Sequence, residues 1–259
     1  MKRITIYFSI KFYPHGEKMN LALYMTDSYL KEFSATVVSA IDGKFIVLDK
    51  TAFYAQGGGQ PFDTGVLVCN GDEYPVVSVR KSEGQIRHEV SKEGLKERDK
   101  VFGKINWERR FMLMRMHTAA HLLAAIIHTK TGALITGNQL DLDKSRIDFS
   151  LDDFNPEQFK EYVAVANSLI TKDLPVSVSF MPREEALRLP GMVKLAGALP
   201  PEVAELRIVS IEGVDTQADG GTHVKSLKEI GTIELLKVEN KGKNNRRLYY
   251  TVLCCIIIF

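Results

Sequence analysis

The chain has 259 residues, 45% of them hydrophobic and 25% charged, with a net charge of +2. These values are ordinary for a globular protein and exclude a disordered chain, and near-neutrality means that any nucleic-acid partner must meet a local basic patch. Three cysteines, Cys69, Cys254 and Cys255, exclude a disulfide framework; with no Cys-x-x-Cys pair they also exclude a zinc ribbon, and they point to a reducing, cytoplasmic compartment.

The opening "MKRITIYFSIKFYPHGEK" has a basic start and a short apolar run broken by Pro14, His15 and Glu17. It lacks a small-residue cleavage site, so residues 1–18 read as an extension and not as a signal peptide. From residue 19 to 105 the texture is that of short strands: "ATVVSAI", "KFIVLDK", "TGVLVCN", "YPVVSVRK", "QIRHEV" and "KVFGKINW". Turn pairs such as Asp42-Gly43, Asn70-Gly71 and Glu83-Gly84 separate them, which predicts a small β-barrel domain. Near Asn106 the pattern changes. "WERRFMLMRMHTAAHLLAAIIHTKTG" holds helix formers with no internal Gly or Pro, is apolar on most faces, and ends at Gly132, so it predicts one long buried helix.

A strand pair follows ("GALITGNQL" and "KSRIDFSL"), then a helix opened by Asn155 as N-cap and Pro156 at its first position. A strand "PVSVSFM" and a mixed segment "PREEALRLPGMVKLAG" come next, and "LRIVSIEG", "GTIELLKVEN" and "RRLYYTVL" complete the pattern as three more strands. The terminal "LCCIIIF" is too short to span a bilayer and reads as a last strand; neither prenylation nor a membrane partner is expected. The expected fold is α+β: a small N-terminal β-barrel, then an α+β two-layer domain over residues 106–259.

Two short patterns carry chemistry. "HTAAH" places His117 and His121 four residues apart, on one face of the long helix. "DGGTH" places Asp219 and His223 around two glycines that let the backbone bend tightly. Three imidazoles and a carboxylate suit Zn²⁺, although two histidines at helical spacing are equally compatible with a packed core. His128 lies about 10 Å further along the helix, too far to share the ion, and reads as structural. A zinc protease would need a glutamate beside the first histidine; Thr118 stands there, which disfavours that class.

In order and spacing, "HTAAHLL", "SRIDFSL", "DGGTHVKSLKEIG" and "NRRLYY" resemble the editing domain of alanyl-tRNA synthetase and its free-standing AlaX-type relatives. "TAFYAQGGGQPFDTG" resembles the glycine-rich motif in the barrel of those relatives that have one. The resemblance covers residues 20–250. It implies a zinc-dependent trans-editing deacylase that hydrolyses the ester of mischarged alanine tRNA, removing serine and often glycine. The implied metal ligands are His117, His121, Asp219 and His223. The family usually has cysteine where this chain has Asp219, which leaves two alternatives: ligation through oxygen, or a centre of three histidines.

Serine differs from alanine by a hydroxyl, so the pocket needs a polar reader. Thr136, Asn138 and Gln139 match the family's pocket strand; outward-facing strand positions are the plainer reading. Gln56, Gly57, Gly58, Gly59 and Gln60 form either a hairpin loop of the barrel or a loop leaning over the pocket. Lys225, Lys241, Lys243, Arg246 and Arg247 are candidate contacts to tRNA phosphate, whereas Arg109 and Arg110 are expected to cap or pack at the helix start. A zinc-containing tRNA-binding module without catalysis, and editing of seryl-tRNA for threonine, are the competing functions.

Overall fold

The computed structural model describes residues 21–152, 155–189, 192 and 203–253. The extension 1–18, the pair Cys254 and Cys255 and the apolar end beyond them lie outside the described residues.

A two-residue strand β1 (Leu21–Ala22) pairs in parallel with β4 (Lys50–Thr51) and lies against the first half of the molecule. That half is a closed barrel of β2 (Glu32–Ile41), β3 (Phe45–Leu48), β5 (Gly65–Cys69), β6 (Asp72–Ser82), β7 (Gln85–Val90) and β8 (Lys100–Ile105). The strand order is β2-β3-β7-β6-β5-β8, and pairing of β8 with β2 closes the ring and removes both sheet edges. The cause is visible in β8, "KVFGKI": alternate residues Val101, Gly103 and Ile105 turn inward while the lysines stay in water. Tyr24, Phe33, Ile46, Leu48, Phe53 and Leu67 fill the interior.

Asn106 ends the barrel and caps α1 (Trp107–Thr131), its side chain accepting the amide proton of Arg109. Gly132 ends the helix in the left-handed conformation at φ 73°, where a Cβ would be strained. The second half adds β9 (Ile135–Gln139), β10 (Ser145–Phe149), α2 (Pro156–Ile170), β11 (Val176–Pro182), α3 (Arg183–Arg188), β12 (Glu205–Ile211), β13 (Asp215–Ala218), β14 (Thr232–Asn240) and β15 (Arg246–Leu253). One antiparallel sheet runs β14-β15-β10-β9 and a smaller one β11-β12-β13. α1 is buried along most of its length and shares a core with α2 and the inner face of the larger sheet.

The fold is the expected α+β with its leading barrel. It differs in the short pair β1 and β4 and in one strand of the second half: "DTQA" is β13, paired with β12, so four strands and not three follow β11. Its polar alternation hides it, because the residues it buries are Asp215 and Gln217. Arg110 joins the two halves: fully buried, it pairs with Asp63 and donates to the carbonyls of Ser28 and Ala52. Removing one partner of such a pair costs about 3–5 kcal/mol, because the other charge stays buried. Arg115 is likewise turned inward, onto the carbonyls of Ile230 and Leu253. Among the described residues, no helix is long and apolar enough to cross a membrane.

Candidate functional site

His117 and His121 leave α1 one turn apart, and the corner after β13 returns Asp219 and His223 to them. One ligand atom from each of the four lies within 4.8 Å of the others. The ring centroids of His117 and His223 are 4.4 Å apart, and those of His121 and His223 are 4.6 Å apart. All three rings are buried.

The outer partners determine which nitrogen His117 and His223 turn to the centre. For His223, the Thr118 hydroxyl spends its single proton on the carbonyl of Met114 and can only accept from His223 Nδ1–H, at 3.1 Å. His223 Nε2 therefore carries a lone pair, and it is buried with no hydrogen-bond partner among the described residues. For His117, Gln60 Oε1 already accepts the amide proton of Thr222 while Gln60 Nε2 donates to the Thr222 hydroxyl. Its carbonyl oxygen thus faces His117 Nδ1, at 2.9 Å, and makes that nitrogen the donor. For His121, Nδ1 lies 3.4 Å from Asp215 Oδ2, and the Gln217 amide contacts both.

The three Nε2 atoms converge on Asp219. Oδ1 is 3.2 Å from His117 Nε2 and 3.3 Å from His121 Nε2, whereas Oδ2 is 3.8 Å from His223 Nε2 and accepts from the Gly221 amide. Burial alone would raise the Asp219 carboxyl; the surrounding imidazoles, His117 foremost, hold it well below the carboxylate range. Burial and the other two rings push His223 well down. His121 goes up to about 9, because Asp215 and Asp219 outweigh its desolvation. A fixed anion beside the inward lone pairs of His117 and His223 suits a cation, and the orphaned Nε2 of His223 is the atom that most needs one.

Gly221 makes the approach possible: a Cβ there would overlap the His117 ring and crowd Gln60 Oε1. Gly59, at φ 86°, is pressed against the Asn138 amide, where a Cβ would also overlap, and its carbonyl accepts from Leu140 N–H. The glycine-rich loop of the barrel is therefore seated on both the histidine cluster and the end of β9.

Two models of families match the chain. Residues 15–109 match the one described as "tRNA synthetases class II (A)", and residues 206–249 match "Threonyl and Alanyl tRNA synthetase second additional domain". "Alanyl-tRNA editing protein AlaX-M" of Methanosarcina barkeri is 50% identical over 242 residues, covering 91% of this chain and all of that protein. The protein of the same name from Saccharolobus solfataricus is 49% identical, covering 90% of this chain and 99% of its own. The chain belongs to the AlaX-M family of alanyl-tRNA editing proteins. "Alanine--tRNA ligase" of Pyrobaculum calidifontis is 41% identical over 88% of the chain, but only 26% of the ligase is covered.

Other AlaX-type positions singled out in the sequence separate into groups. Asn138 is half-buried against the loop, whereas Thr136 and Gln139 are exposed, Thr136 donating to Asn245 and Gln139 accepting from Arg146. Gln56 and Gly58 are exposed, while Gln60 is 1% exposed and turned onto His117. Lys225, Lys241 and Lys243 are exposed. Arg246 is not: it is 5% exposed, its guanidinium bonded to Asn240 and to the carbonyls of Gly242, Asn245 and Asp152, which removes it from the surface contacts. Arg247 is committed to Asp148 through two nitrogens. His128 donates to Ala133 O, as a structural histidine would. Thr118, Asp215 and Gln217 are not legible as site residues in the sequence. The one signal is their placement inside or beside the two ligand motifs.

Proposed function

We propose that the protein edits alanine tRNA by hydrolysing the ester that joins a wrong amino acid to the terminal adenosine. Serine is the principal amino acid removed and glycine the second, with Zn²⁺ as cofactor. The observation that carries this reading is the convergence of three imidazole Nε2 atoms and one carboxylate in a chain of the AlaX-M family.

His117, His121 and His223 would hold the ion through Nε2, and Asp219 through Oδ1. Bound there, zinc supplies a Lewis acid that can orient the amine or hydroxyl of the amino acid or acidify a water. The chain's own residues do the rest. Gln60, Asp215 and Thr118 keep the rings oriented, and the Gly221 amide takes Asp219 Oδ2 so that Oδ1 stays directed inward. An aminoacyl ester is already activated, so placement of the amino acid and exclusion of competing geometries contribute most of the rate. No carboxylate occupies the helix position beside His117, which favours a positioning role for the centre over general-base catalysis by the protein.

Selectivity against alanine needs a polar group that loses its partner when the hydroxyl is missing. Asn138 is the best-placed reader, since it touches Gly59, the neighbour of Gln60. Mischarged tRNA would approach with its phosphates on Lys225, Lys241 and Lys243. We also treat residues 19–105 and 106–259 as two domains that share this one site.

The test measures release of serine, glycine and alanine from charged alanine tRNA, with and without a chelator, alongside metal analysis. Serine and glycine should be released, alanine retained, and the chelator should stop release. A metal-replete protein that frees none of them would overturn the proposal.

A further inference from the structure

The barrel supplies more to the centre than a wall. Gln60 sits in a loop of the barrel half, 57 residues before His117, yet it is 1% exposed and its amide hydrogen bonds are made at the centre. Oε1 accepts from Thr222 N–H at 3.0 Å and faces His117 Nδ1 at 2.9 Å, while Nε2 donates to Thr222 Oγ1 at 2.9 Å. Rotating the amide by half a turn would set an NH₂ group against the Thr222 N–H, so the orientation is determined and not a matter of choice. A second feature points the same way: Gly221 leaves open the gap through which Gln60 reaches the ring, and any Cβ at 221 would close it.

From this geometry we infer that Gln60 is a positioning residue for metal capture: it holds His117 in the tautomer whose Nε2 lone pair faces the centre, and so makes metal affinity depend on the barrel. A neutral imidazole has one donor nitrogen and one acceptor nitrogen, and the hydrogen bond at Nδ1 decides which is which. Without an acceptor there, the ring can turn or move its proton to Nε2, and either change removes a ligand. The Gly59 carbonyl, bonded to Leu140 N–H, ties the same loop to the end of β9, so ring and pocket strand are held by adjacent residues of one loop. The inference rests on the metal reading of the centre, which the behaviour of the unaltered protein tests separately.

The experiment uses the full chain with Zn²⁺ alone as probe, measured by competition with a chromophoric chelator. Q60A should weaken zinc binding about 10–100-fold, the usual effect of losing a partner that orients a metal-bound histidine. Q60E should bind zinc at least as tightly as the unaltered chain. Its carboxylate can accept from His117 Nδ1–H, from Thr222 N–H and from the Thr222 hydroxyl with that proton reversed, and it is the stronger acceptor. Q60M, similar in length but without an acceptor for Nδ1–H, should weaken zinc binding as Q60A does, which separates orientation from packing; Q60M affinity equal to that of the unaltered chain would overturn the inference. Melting of the metal-free forms is followed in parallel to identify any variant that does not fold. Nitrogen NMR of histidine in the zinc-loaded Q60E and unaltered chains adds a direct readout: His117 should be ligated through Nε2 with a proton on Nδ1. Q60A affinity equal to that of the unaltered chain, Q60E affinity as weak as that of Q60A, or ligation of His117 through Nδ1 would each overturn the inference. Failure of the unaltered chain to bind zinc would instead remove the metal reading, and this inference with it.

Discussion

Buried histidine occurs in both halves of this molecule, and the two settings are instructive side by side. His88 lies in the barrel with no exposure; its Nδ1 donates to Ile46 O at 3.0 Å and its Nε2 accepts from the Thr51 hydroxyl at 2.8 Å. Both nitrogens are satisfied by the fold, and burial pushes the ring down to about 4. In the other half the outer nitrogens of His117, His121 and His223 have partners, but the inner ones face each other and Asp219. The same residue at the same burial is therefore a packing element in one place and part of a group that could hold a metal ion in the other. What separates them is the surroundings: His88 meets two neutral oxygens, whereas the clustered rings turn to a buried carboxylate and His223 Nε2 has no hydrogen-bond partner among the described residues.

The largest effect should come from the clustered histidines. His223→Ala or His121→Ala should remove stoichiometric zinc and lower serine release more than about 100-fold, as expected for loss of a ligand, while His88→Leu keeps its zinc. Metal analysis and deacylation on the same preparations would break the comparison if His88→Leu also lost the metal. Gly221→Ala follows, because its methyl group would displace the His117 ring; zinc affinity should fall even though no ligand is altered. His88→Leu should itself cost about 1–3 kcal/mol in chemical denaturation, by leaving the Thr51 hydroxyl proton without its acceptor and the Ile46 carbonyl without its side-chain donor.

His88 also sets a pH dependence. In the unfolded chain it takes a proton near pH 6.5, whereas the folded barrel resists protonation down to about 4. Between those values the unfolded state binds more protons, so this residue's contribution to stability is lost as pH falls. The slope is about 1.4 kcal/mol per pH unit through that window. Denaturation of the metal-free protein from pH 7 to 4, with His88→Leu as the reference, should show that difference, and parallel curves would remove His88 as its source.

The smallest effects belong to the surface, where the same distinction between committed and outward-facing groups applies. Lys243→Ala should reduce the salt slope of tRNA binding by about 1, and Lys241→Ala by less, because Lys241 already pairs with Glu239 at 3.2 Å. Arg246→Ala should instead destabilise the β14–β15 hairpin, since its guanidinium is spent on carbonyls. A salt slope changed by Arg246→Ala without loss of stability would contradict that assignment.

Much of this fold is legible in the order of its residues. Asn106, Gly132, Asn155 and Pro156 mark helix ends through local backbone chemistry, and period-two alternation marks the barrel strands. β13 escapes such a reading because it buries Asp215 and Gln217, and polar residues carry no hydrophobic period. Arg246 resembles a free basic tip because a sequence shows a charge but not the carbonyls within its reach. Gln60 resembles part of a pocket lip, whereas its amide lies against a ring 57 positions later.

The sequence alone determined the helical spacing of His117 and His121 and the glycine corner that carries Asp219 and His223, since both depend on contacts within a few residues. Only the tertiary structure decided that the two pairs meet, that Gln60, Thr118 and Asp215 orient their rings, and which cations face water. Those outcomes depend on hydrogen bonds between residues tens of positions apart, and the direction of such bonds is set by packing and not by any local preference of the chain.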